Sequence, residues 1–96
     1  MTEAEFQAAI LKEAKRFGWK AYHTYDSRRS HKGFPDLVLV RGVVCLFLEL
    51  KAEDGVESDE QKEWIRALKQ VNIIEADFAY PRHLEQIISN LSVRAR

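Results

Sequence analysis

Two carboxylates and a lysine carry the chemistry of this sequence. Pro35-Asp36 is followed 13 residues later by Glu49, and Glu49-Leu50-Lys51 closes an apolar run. Arg41-Gly42 lies between the two β-branched, aliphatic segments Leu37 to Val40 and Val43 to Leu50. Such segments read as a hairpin. With Arg41-Gly42 as a two-residue loop, Val40 pairs with Val43 and Asp36 falls opposite Phe47. Glu49 is then a diagonal neighbour of Asp36, about 7–8 Å away at the backbone. Period-two alternation puts Asp36, Glu49 and Lys51 on one face.

Two adjacent carboxylates at the end of a buried strand repel each other and resist ionisation. A divalent cation removes both problems. Magnesium takes one or two carboxylates, water and substrate phosphate. It polarises a phosphoryl oxygen and acidifies a bound water. A neighbouring lysine holds that water or stabilises charge on the phosphate. These are the parts of phosphodiester hydrolysis. The bland alternative, a solvent-facing Glu–Lys pair with Asp36 ending a turn, is common for a bare ExK and less so for one placed across a hairpin from a PD.

The elements that must position these groups can be read along the chain. Phe6, Ile10, Ala14 and Phe17 form one stripe at helical spacing, with Thr2 as N-cap and Gly18 as terminator, which predicts a helix over Glu3 to Phe17. At about 100° per residue, Glu3 and Gln7 share that stripe, whereas Glu5 points away. Glu3 either reaches the metal, directly or through water, or complements the helix N-terminus. Glu5 and Glu13 are assigned to solvent. Trp19 to Tyr25 alternates as a short strand. Ser58 to Val71 reads as a helix, Ile73 to Tyr80 as a strand ended by Pro81, and His83 to Leu91 as a last helix. The expected order is αβββαβα, a mixed four-stranded sheet with helices on both sides. Gln61 completes a capping box with Ser58 or contacts the site; both readings stand.

The polar loop Asp26-Ser27-Arg28-Arg29-Ser30-His31-Lys32-Gly33 places three permanent cations just before Pro35. Such groups bind backbone phosphates, so Ser27, Arg28, Arg29, Ser30, His31 and Lys32 are candidate DNA contacts.

Composition bounds the rest. The chain has 96 residues, 46% of them hydrophobic, and no net formal charge. That fits a single domain over 1–96. It counts against a protein that merely coats DNA by charge, which would be basic. The single Cys45 excludes a disulfide framework and a thiolate metal site and is expected to act as a small buried hydrophobe. His23, His31 and His83 lack zinc-type spacing, and no GxxxxGK is present, so a nucleotide cofactor is not expected. No apolar run approaches the roughly 20 residues of a membrane span, and no signal-peptide pattern opens the chain. The expected location is the cytoplasm of a bacterium or of a phage-infected host cell.

Gly33-Phe34-Pro35-Asp36-Leu37-Val38-Leu39-Val40, Phe47-Leu48-Glu49-Leu50-Lys51 and Ser58 to Gln61 together resemble the VRR-NUC family of the PD-(D/E)xK nuclease superfamily. Glu3 to Gln7, Tyr22-His23-Thr24 and Ser27-Arg28-Arg29-Ser30 are similar to its stand-alone members. The resemblance implies a restriction-endonuclease-like core, magnesium or manganese, and DNA as substrate. It implies Glu3, Asp36 and Glu49 around the metal with the Leu50 carbonyl as a further ligand, Lys51 as catalytic lysine, and Gln61 as a motif residue. Short stand-alone members resemble Holliday-junction resolvases, which implies a homodimer acting on branched DNA. Asn72 departs from the family, where a glycine is more usual. Two other expectations remain: a module that binds branched DNA without cutting, and a nicking or restriction-type nuclease acting on linear duplex.

Overall fold

A computed structural model of the chain describes residues 1–25 and 29–93. The order is α1 (Glu3–Arg16), β1 (Lys20–His23), β2 (Leu37–Arg41), β3 (Val44–Leu50), α2 (Asp59–Lys69), β4 (Glu75–Ala79), a 3₁₀ turn (Pro81–His83) and α3 (Leu84–Val93). The expected αβββαβα order is thus met.

α1 begins on a capping box. The Thr2 hydroxyl accepts from the Glu5 N–H at 3.1 Å, and the Thr2 N–H donates to Glu5 Oε1 at 2.7 Å. Glu5 therefore caps the helix while staying exposed, in keeping with its expected place in solvent. Glu13 departs from the same expectation: it is half-buried, meets Arg16 at 3.3 Å, and keeps Oε2 out of water. The chain leaves the helix through Gly18 at φ +82°, a left-handed position that suits glycine.

The sheet runs β1-β2-β3-β4. β1, β2 and β3 pair antiparallel, and β4 joins β3 in parallel. A parallel neighbour needs a crossover, and α2 provides it. The inner faces of β2 and β3 offer Leu37, Leu39, Leu46 and Leu50. These pack with Phe6, Ile10 and Ala14 of α1 and with Leu91 of α3 as the main core. Trp19 enters that core and donates Nε1–H to the Leu91 carbonyl at 3.0 Å. On the opposite face, Phe34 meets the Trp64 ring of α2 at 5.0 Å and Phe47 of β3 at 6.2 Å, both edge-on.

The hairpin departs from expectation by one residue. Arg41 pairs with Val44, so the loop is Gly42-Val43 and not Arg41-Gly42. Gly42 takes φ +58° and Val43 stays negative, as in a turn with glycine at its first central position. Arg41 stays in β2 because its Nη1 donates to the Phe17 carbonyl and its guanidinium lies 5.1 Å over the Trp19 ring. β4 starts two residues later than expected, because Asn72-Ile73 forms a turn closed by the Ile74 N–H on the Val71 carbonyl. Cys45 is half-buried, and burial pushes its thiol pKa up.

Candidate active site

Moving the turn by one residue keeps the parity of the strands and tightens the pairing. Leu37 pairs with Leu48, so the next pair outward sets Asp36 directly opposite Glu49, and not diagonal to it. Thr24 extends the same row: its N–H donates to the Asp36 carbonyl at 3.0 Å, and its hydroxyl donates to the Pro35 carbonyl at 3.4 Å. Thr24, the residue after β1, thus clamps the Pro35-Asp36 backbone. The Asp36 side chain turns toward β3, where its Oδ2 accepts the Leu50 N–H at 3.0 Å.

Glu49 is 4% exposed, a buried acid in the described part of the chain. Burial raises its pKa most, and the charge and hydrogen bond of Asp36 push it further. Lys51 opposes the shift and Glu3 adds to it, leaving Glu49 at about 9. Near neutral pH the buried Glu49 therefore favours its protonated form.

Gln61 resolves the choice between cap and site by doing both. Its backbone N–H donates to Ser58 Oγ at 3.2 Å, and its Oε1 accepts the Ser58 N–H at 2.9 Å. The same Oε1 accepts Lys51 Nζ at 3.1 Å, while Nε2 donates to Glu49 Oε2 at 3.0 Å. Both lone pairs of the amide oxygen are used. The first turn of α2 thereby fixes the spacing of Lys51 and Glu49.

Gly33 brings the loop and helix together. It sits at φ +89°, and a Cβ there would lie 2.5 Å from the Glu60 backbone carbon. Only glycine allows this contact. In the sequence, the only sign of this role is the position of Gly33 at the head of the Gly-Phe-Pro-Asp run.

Glu3 is exposed at the start of α1. Its pKa is raised by partial burial and by Asp36 and lowered by Lys51, so it lies within the field of the site. Among the described residues, no three His, Cys, Asp or Glu side chains converge as a metal-holding group. Glu3 thus does not close a three-acid cage with Asp36 and Glu49. The donors that do meet are two carboxylates facing each other across a strand pair, a set that suits a hard cation completing its shell with main-chain oxygen, water and phosphate.

A cavity of about 520 Å³ opens onto Asp36, Glu49 and Gln61, and its wall includes Thr24, Ser30, His31 and Lys32. Arg29, Ser30, His31 and Lys32 are exposed; Lys32 reaches Glu60 at 3.7 Å. Ser27 and Arg28 lie outside the described residues.

The sequence model of the VRR-NUC domain matches residues 2–80. The chain belongs to the VRR-NUC family. This is a nuclease family, and Asp36, Glu49, Lys51 and Gln61 all lie inside the matched region. One solved VRR-NUC domain protein is 23% identical, with a TM-score of 0.73 over 99% of this chain and 90% of its own. A second VRR-NUC domain is 19% identical, with a TM-score of 0.70 over 93% and 97%. The Archaeoglobus fulgidus Holliday junction resolvase Hjc is 24% identical, with a TM-score of 0.59 over 81% and 68%. These likenesses establish the restriction-endonuclease-like fold. No curated protein sequence matches the chain. Among the described residues, no helix of this VRR-NUC domain is long and apolar enough to cross a membrane.

Proposed function

We propose that this VRR-NUC domain is a divalent-metal-dependent endonuclease that hydrolyses phosphodiester bonds in branched DNA. The observation that carries this reading is the facing pair Asp36 and Glu49, tied through Gln61 to Lys51. Mg²⁺ or Mn²⁺ would be held by the two carboxylates and the Leu50 carbonyl, with Glu3 contributing through water. When bound, the ion supplies Lewis-acid polarisation of the phosphoryl group and an acidified water.

The chain's own groups do the rest. Gln61 takes one N–H of the Lys51 ammonium, leaving two to face the attacking water and the phosphate oxygen on which charge builds. Gln61 also holds Glu49 Oε2, so the carboxylate is presented in one orientation once its proton leaves. Thr24 and Leu50 fix Asp36 from either side. Arg29, Ser30, His31 and Lys32, with Ser27 and Arg28, are the proposed contacts to the flanking phosphates.

Branched DNA is favoured by the structural likeness to a protein described as a Holliday junction resolvase. A homodimer fits it, since a two-fold axis presents two sites to two strands. The test offers labelled four-way junctions, flaps and linear duplex to the purified protein with Mg²⁺, Mn²⁺ or chelator. Metal-dependent cutting of branched substrates is expected, abolished by Asp36→Asn. Absence of cutting on every substrate, or cutting that survives chelator, overturns the proposal.

A further inference from the structure

We propose that Tyr22 is a stacking platform for an unpaired nucleobase beside the scissile phosphate. The inference rests on the nuclease reading of the neighbouring site and supplies a physical basis for a preference for branched DNA.

α2 packs on β3 and β4. Among the described residues, the same sheet face over β1 and β2 is left open, and it bears Lys20, Tyr22, Val38 and Val40. Tyr22 is 59% exposed and Val40 is 40% exposed. Tyr22 pairs with Val38, one step along from the row of Thr24, Asp36 and Glu49. That makes Tyr22 a diagonal neighbour of Asp36, about 7–8 Å away at the backbone. A phosphate seated at Asp36 and Glu49 puts its own nucleotide within reach of the Tyr22 ring.

The occupant follows from charge and geometry. The open strip ends at exposed Lys20 on one side and at exposed His31 and Lys32 on the other. A second copy docked two-fold on this strip sets cation against cation. A polyanion satisfies both ends, so a homodimer would use another surface. In paired duplex both faces of each base are covered by its neighbours. An aromatic ring on this strip finds a partner only where a base is unstacked, as at a branch or flap. Every base has a π-face, so such a platform selects DNA structure and not sequence.

The test uses the Asp36→Asn protein in chelator, with 2-aminopurine at the branch of a flap or junction and in a matched linear duplex. Quenching is expected on the branched DNA only. Adding Tyr22→Ala should remove it and cut the ratio of branched to linear affinity about tenfold, whereas Tyr22→Phe should keep both. Quenching that persists without Tyr22, or equal loss on both DNAs, overturns the proposal. So does sedimentation in which Tyr22→Ala turns a dimer into a monomer, which would assign the face to a second copy. Cleavage is scored separately with Asp36 intact. No cutting in any metal would sink the nuclease reading, while the quenching still decides the platform.

Discussion

Glu49→Gln should make the metal-free protein more stable and the enzyme inactive. In the folded chain, burial and Asp36 push Glu49 up to about 9, against a usual value of 4.5. The unfolded chain ionises this group near its usual value, while the fold keeps the proton. The stability contributed by the protonated acid is therefore full below 4.5 and drains away as pH rises toward about 9. At pH 7 the gap is about 2.5 units, a ceiling of about 3 kcal/mol. The cavity beside the pair admits water, which reduces the effect to roughly 1–2 kcal/mol. Glutamine mimics the protonated acid: its oxygen accepts from Gln61 and its N–H donates to Asp36. For a domain of this size the variant should melt about 5–10 °C higher at pH 7, with the difference shrinking toward pH 4.5. Mg²⁺ should raise the wild-type melting temperature by linkage and leave the variant unmoved. Thermal melts across pH, with and without Mg²⁺, measure all of this. A variant that melts lower than wild type at pH 7, or a difference flat with pH, would refute the reasoning.

Three further outcomes are expected. Gly33→Ala forces both a left-handed backbone and a collision with Glu60, so it should cost about 3 kcal/mol in a denaturant melt and reduce cleavage. Lys51→Ala should lower kcat about 10²- to 10³-fold with KM little changed, read in steady-state cleavage. Lys51→Arg should rescue poorly, since a planar fork does not replace a compact ammonium. Gln61→Ala should lower kcat about 10- to 100-fold and shift the pH–rate profile, because Glu49 and Lys51 lose their common anchor. Gln61→Glu would keep the cap but add a carboxylate beside Glu49, and should not restore activity.

The site was legible where local periodicity decides. Alternation along β3 puts Glu49 and Lys51 on one face, and any two-residue hairpin loop brings Asp36 to that face. The exact partner of Asp36 was not legible, because Gly42 fits either position of a two-residue turn. Arg41 decides it by anchoring to Phe17 and Trp19, residues far along the chain. Gln61 showed its capping box in sequence, but its reach to Glu49 and Lys51 depends on how α2 crosses the sheet. Glu3 shared the apolar stripe of α1, yet sits one turn before the buried Phe6 and stays exposed. The alternation of β1 likewise cannot reveal that α2 leaves Tyr22 uncovered.

The most direct measurement is anomalous diffraction from crystals of the protein soaked in Mn²⁺. The proposed site predicts a peak between the Asp36 and Glu49 carboxylates, within about 2.2 Å of an oxygen of each, and its loss in Asp36→Asn. Ordered carboxylates with no peak between them, in crystals of protein that cuts DNA, would contradict the metal site on which the proposed chemistry depends.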